Sequence, residues 1–141
     1  MKVVDANVLL YAVNSDTPQH AEARDWLDSA LAGAEVVCFS WIVLLAFIRI
    51  STHPSIFSRP LAPTEALDVV EAWLSQPGAV VVEPTSRHLG VLRGMISAIG
   101  TAGNLVNDAH LAAILVEHGA EVVSFDSDFT RFDGLRSQRL G

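Results

Sequence analysis

Short apolar runs bounded by proline, glycine or acidic residues alternate along this chain with longer stretches of three-to-four-residue hydrophobic spacing. Val3 and Val4 open a first predicted strand, "EVVCFS" reads as a second, "AVVVE" as a third between Pro77-Gly78 and Pro84, and "EVVSF" as a fourth. Helices are predicted between them. "SDTPQHAEARDWLDSALAG" places Thr17 as N-cap, Pro18 at the first helical position and Gly33 past the end. Its apolar stripe is Ala23, Trp26, Leu27, Ala30 and Leu31, with Glu22, Asp25 and Asp28 on a solvated face. "WIVLLAFIRIST" is apolar all round and predicts a buried helix, and "PSIFSRPLAP" is a connector. Residues 64–75 predict a helix with Ala66, Val70, Trp73 and Leu74 inward, and 86–99 and 104–118 predict two more. Strands alternating with helices imply an α/β fold, a central parallel sheet of about four or five strands covered by helices on both faces. No repeat or linker interrupts the pattern, so residues 1–141 read as a single domain.

Composition sharpens this picture in two places. Half of the 141 residues are hydrophobic and mean hydropathy is +0.37, more apolar than a small monomer needs, so an interface with a second copy or a partner is expected. Cys38 is the one cysteine, which removes a disulfide framework and fits a reducing cytoplasm. Asp5 and Asn7 interrupt any signal-type hydrophobic region, and the longest apolar run, "VVCFSWIVLLAFI", ends at Arg49 and is too short for a bilayer. A soluble cytoplasmic protein is expected.

The candidate chemistry lies in the acids. Ligands of an open parallel sheet bind outside the carboxyl ends of its strands. Asp5 closes the first strand, and Asp126 follows the fourth in "VVSFDSDF", so two carboxylates reach one edge. Asp108 brings a third. On the helix "NLVNDAHLAAILVEHG" it shares a stripe with Leu105, Leu111, Ala112 and Leu115, which should face the sheet. Any one of these acids alone would pass for a turn former or a helix-terminal charge. Together, with no lysine nearby, they repel one another unless a cation intervenes. Oxygen-only ligands select a hard ion such as Mg²⁺ or Mn²⁺. The five histidines show no paired ligand spacing, which argues against zinc.

"VVDANVLLYA", "NDAHLAAILVEHG" and "VVSFDSDFTRF", in that order, resemble a PIN-domain ribonuclease of the VapC toxin type over almost the whole chain. "WIVLLAFIRISTHP" resembles a branch of the family with an arginine-bearing helix after the second strand. The resemblance implies a PIN-like fold and a Mg²⁺-dependent endoribonuclease, the toxin of a VapBC-type pair, neutralised by a VapB-type antitoxin and usually dimeric. It carries the catalytic and metal-site role to Asp5, Asp108 and Asp126, with Asn7 supporting Asp5 and Asp128 as a fourth acid. One position departs. Aligning on Arg49 puts Ala46 where most of the family has a glutamate. The alternative is therefore a catalytically impaired PIN-fold protein that binds RNA or an antitoxin without cleavage.

The net charge of −7 is unusual for a nucleic-acid binder, but four of the sixteen acids belong to the candidate site. Eight of the nine basic residues are arginine, and Arg131, Arg136 and Arg139 follow the acidic strand end. Two readings stay open for them: contacts to RNA phosphates, or a solvated tail. Arg49, in an otherwise apolar helix, is expected to pair with a carboxylate. A phosphoacceptor receiver would need a lysine near its last strands, and Lys2 is the only lysine. A haloacid-dehalogenase-like phosphatase would want an aspartate at Asn7.

Overall fold

The computed structural model describes residues 1–100 and 103–141. Five strands form one parallel sheet: β1 (Lys2–Val4), β2 (Val37–Ser40), β3 (Ala79–Val82), β4 (Glu121–Ser124) and β5 (Arg136–Arg139), in the order β3-β2-β1-β4-β5. The helices are α1 (Ala6–Val13), α2 (His20–Ser29), α3 (Trp41–Ser51), α4 (Pro63–Leu74), α5 (His88–Ile99) and α6 (Val106–His118). The chain builds outward from β1 to β2 and β3, then crosses back to β4 on the other side. Right-handed crossovers in opposite directions put the two helix groups on opposite faces. Accordingly α1 packs on α2 and α3, and α3 on α4, whereas α5 packs on α6.

The core forms because the inner strands are apolar on both faces. Val3, Val4, Val37, Cys38, Phe39, Val122 and Val123 are all fully buried. Phe39 and Phe47 close on Trp73, with ring centroids 6.3 and 4.8 Å away, which fixes α3 and α4 against β2. On the other face α6 buries Ala109 and an unbroken run from Leu111 to Leu115.

Two local expectations are corrected, and two elements appear that the spacing did not predict. The run after Asp5 is α1, a helix of eight residues that begins as soon as the three-residue β1 ends. Asp5 is its N-cap, accepting from the Ala6 N–H at 2.8 Å. Helix α2 begins at His20, not after Thr17, because the Thr17 hydroxyl donates to the Asn14 carbonyl and closes a turn instead. Its end is as expected: a π-type turn, Ala30–Ala34, holds Gly33 at φ 112°. Helix α3 is not buried all round. Val43, Leu44 and Phe47 are buried, but Trp41 and Leu45 are 45% and 58% exposed and Arg49 continues their open face. Finally, the polar segment Arg136–Arg139 is an edge strand. It pairs in register with β4, from Glu121↔Arg136 to Ser124↔Arg139. Among the described residues, no helix is long and apolar enough to cross a membrane.

Candidate active site

Strand order reverses between β1 and β4, so the crevice at their carboxyl ends is where an open parallel sheet offers a binding site. Asp5 lies there because β1 is three residues long and pairs directly with β4: Val4 sits opposite Val123, and the Asp5 N–H donates to the Val123 carbonyl at 2.9 Å. Two residues beyond β4 comes Asp126. The acids are tied together by a side chain that sequence patterning had not singled out, Ser124. Its buried hydroxyl donates to Asp5 Oδ2 at 2.8 Å and lies 3.4 Å from Asp126 Oδ1. Ser124 is the last residue of β4, and its small polar side chain at an otherwise apolar strand end is the signal that marks it.

Asn7 completes the link. Its Nδ2 donates to Ser124 Oγ at 3.0 Å, to Asp126 Oδ2 at 3.2 Å and, more weakly, to Asp5 Oδ2 at 3.4 Å. Its Oδ1 accepts from the Phe125 N–H at 3.1 Å, which fixes the amide's orientation. Asp126 Oδ1 accepts from the Asp128 N–H, so the turn after β4 is wound around that carboxylate.

Helix α6 brings Asp108 to the same crevice in its first turn. A cavity of about 360 Å³ is lined by Asp5, Asp108, Ala46 and Arg49, so α3 and α6 form opposite walls over the end of β1. The electrostatics follow from this crowding. Burial, offset in part by the Ser124 and Ala6 hydrogen bonds and reinforced by Asp126 and Asp108, pushes the Asp5 carboxyl up to about 6. Burial raises Asp108 as well, with Asp128 and Asp126 adding to the effect and Arg131 opposing it. Thus Asp5 senses the charges of Asp126 and Asp108, and Asp108 those of Asp128 and Asp126. These acids do not form a closed cage: among the described residues, no group of three or more acidic, histidine or cysteine side chains makes a ready-made metal-binding cluster.

The basic residues divide. Arg131 stands beside the acids, 3.7 Å from Asp128. Arg139, opposite Ser124 at the carboxyl end of β5, donates to the Phe125 carbonyl at 3.4 Å. Arg136 lies at the other end of β5 and donates to the Gly119 carbonyl at 2.7 Å, so the three arginines do not form one cluster. Arg49 pairs with no carboxylate among the described residues; it is exposed on the rim of the cavity, contrary to expectation.

A match to the PIN domain model extends over residues 2–135, nearly the whole chain. The chain is also 54% identical over 136 residues to Ribonuclease VapC37 of Mycobacterium tuberculosis H37Rv, covering 96% of this chain and 94% of that protein. It belongs to the VapC family of PIN-domain proteins. Ribonuclease VapC31 of the same organism is 40% identical over 139 residues, covering 99% of this chain and 98% of its own. Solved VapC-type structures share the fold at low identity. The VapBC2 complex of Rickettsia felis bound to a promoter DNA fragment aligns at TM-score 0.73 and 16% identity, over 98% of this chain and 97% of that one. Mycobacterium tuberculosis VapC20, described as a sarcin-ricin loop cleaving toxin, aligns at 0.69 and 18%, over 96% and 99%. The PIN-like α/β fold expected from the sequence is therefore the observed one.

Proposed function

We propose that this VapC-family protein is a metal-dependent endoribonuclease, the toxin of a VapBC-type pair. The observation that carries the reading is the convergence of Asp5, Asp108, Asp126 and Asp128 at the sheet's switch point, in a chain so similar to proteins named as ribonucleases. Crowded carboxylates, with those of Asp5 and Asp108 raised by burial and by the neighbouring acids, suit a divalent ion. The donor set is all oxygen, which suits Mg²⁺ or Mn²⁺, ions that keep part of their water shell. When bound, such an ion lowers the pKa of a water molecule and screens charge on the scissile phosphate. Asp5, Asp108 and Asp126 would hold it. Ser124 and Asn7 aim the carboxylates of Asp5 and Asp126, and Asp128 adds negative charge beside Asp108. Arg131 and Arg139 stand where flanking phosphates would pass.

The same reading supplies the partners. These are an RNA substrate, a VapB-type antitoxin and a second copy of the chain, the last two covering exposed apolar surface such as Trp41 and Leu45. A second reading rests on Ala46, which lines the acid cavity where the family resemblance places a glutamate. On that reading the protein binds RNA or an antitoxin without cutting. Incubating end-labelled single-stranded RNA with the purified protein in Mg²⁺, Mn²⁺ or EDTA separates the two. Hydrolysis by an activated water predicts metal-dependent cuts without 2′,3′-cyclic phosphate ends. RNA bound but uncut in either metal would favour the second reading.

A further inference from the structure

Beside the acids lies a larger cavity that the chemistry above does not use. It measures about 700 Å³, opens between α1 and the ends of β4 and β5, and shares Asn7 and Asp126 with the active site. Its other walls include Tyr11, Phe125, Gln19 and Arg139. The two aromatic rings stand 82° apart with centroids 5.0 Å from each other, so a planar group entering the cavity meets aromatic surface. Phe125 is held from both sides of its peptide, its N–H by Asn7 and its carbonyl by Arg139. Asn7 also contacts Asp126, so the aromatic wall and the acid share one support.

Two of the polar side chains here lack protein partners, and a third is free of any ion pair. Gln19 precedes α2 but makes no capping bond, and neither its amide nor the Tyr11 hydroxyl has a hydrogen-bond partner among the described residues. Arg139 forms no ion pair among them. An aromatic wall, a free amide and a guanidinium without a carboxylate partner beside a phosphodiester-cleaving centre match one ligand fragment, a nucleotide with its base unstacked.

We infer that this cavity is a base-selective subsite for the nucleotide flanking the scissile phosphate, with Tyr11 or Phe125 stacking on the base, Gln19 reading its edge and Arg139 contacting its phosphate. The inference rests on the ribonuclease reading. It makes single-stranded RNA the substrate class, because a paired base cannot leave its stack to enter the cavity without unpairing. The Gln19 amide sets an NH2 donor beside a carbonyl acceptor, the arrangement that pairs with two adjacent groups on a base edge. It is a specificity-determining residue, not a catalytic one.

The test uses the full chain in two measurements. For binding, a random-sequence single-stranded 12-mer RNA is titrated in EDTA, where hydrolysis is stopped. Tyr11→Leu should weaken binding about tenfold, the scale of a lost base–aromatic stack, and Phe125→Leu likewise, with circular dichroism confirming that the variants fold. For selectivity, cut sites in total RNA are mapped with Mg²⁺ present. The parent should favour one base at one position beside the cut, and Gln19→Ala should flatten that preference. Unchanged binding by both aromatic variants, together with an unchanged base profile for Gln19→Ala, would overturn the subsite and leave the ribonuclease reading standing. A parent that binds RNA without cutting would overturn the nuclease reading, while the aromatic variants would still decide the subsite by binding. A parent that neither binds nor cuts overturns both. Loss of affinity for a VapB-type antitoxin with RNA binding intact would also overturn it, by giving the cavity to a protein segment.

Discussion

At the scale of single residues, Asp5 carries two duties, capping α1 and standing among like charges, and they pull in opposite directions. Without metal, the folded protein keeps the Asp5 proton up to about pH 6, whereas the unfolded chain releases it near 3.8. The folded state therefore binds more protons between those values, and stability falls as pH rises through them and stays lowered above. Asp5→Asn keeps a good N-cap and removes the charge. Two pH units at about 1.4 kcal/mol each, less about 1 kcal/mol for a weakened hydrogen bond with Ser124, leave a gain of about 1–2 kcal/mol. Metal-free urea melts should show that gain at pH 7.5 and its disappearance by pH 4. A variant less stable than the parent at both pH values would make the carboxylate structural. Ala46 permits the opposite experiment, since it lines the cavity with Asp5 and Asp108. Ala46→Glu should cost about 1–3 kcal/mol without metal, by burying another like charge, and should tighten Mg²⁺ binding in calorimetry. Equal destabilisation with and without metal would make Ala46 ordinary core.

At the scale of elements, α5 and α6 are joined by a polar clamp that spacing along the chain did not suggest. The Glu117 side chain is 0% exposed; its Oε1 accepts from the Thr85 N–H and hydroxyl at 2.8 and 2.6 Å, and Oε2 lies 2.6 Å from His88 Nδ1. His88 Nε2 in turn meets His110 Nδ1 at 2.9 Å. Removing Glu117 leaves the half-buried Thr85 and His88 donors without their partner, so Glu117→Ala should lower stability by about 1–2 kcal/mol in denaturant melts. A loss below 0.5 kcal/mol would show the clamp to be dispensable. The contrast with the acid site explains what a sequence makes legible. Asp5 and Asp126 sit at strand ends and Asp108 on an apolar stripe, positions that local periodicity marks. Ser124 shows locally only as a polar residue ending a strand, and the roles of Ser124 and of the His88–Glu117–His110 chain depend on partners as many as 119 residues away, which no local pattern carries. Helix α1 was hidden differently. "ANVLLYAV" is apolar and follows a strand without a break, so only the N-cap at Asp5 signals the change. Strand β5 was hidden because "RSQR" has no apolar alternation, its side chains lying on an edge exposed on both faces.

At the scale of the whole molecule, charge and apolar surface set the partners. With a net charge of −7, RNA binding must depend on the few arginines placed near the acids. Arg131→Ala and Arg139→Ala should each flatten the salt dependence of RNA binding by a slope of about 0.7, whereas Arg136→Ala should leave it unchanged, since its guanidinium is spent on the Gly119 carbonyl at the far end of β5. Equal effects at all three positions would restore the single cluster read from the sequence. Trp41 and Leu45 on α3, with Val80 and Val81 on β3, leave apolar surface open, and the purified chain should sediment as a dimer; a monomer at high concentration would contradict that use of the surface. The most direct test of the central claim, that the acids at the β1–β4 switch point form a metal-dependent ribonuclease centre, is to map new 5′ ends in total RNA treated with antitoxin-free protein, with and without Mg²⁺, beside Asp108→Asn. Discrete ends that need Mg²⁺ and vanish in a folded Asp108→Asn protein are the predicted result; ends that persist in EDTA or in that variant would contradict it.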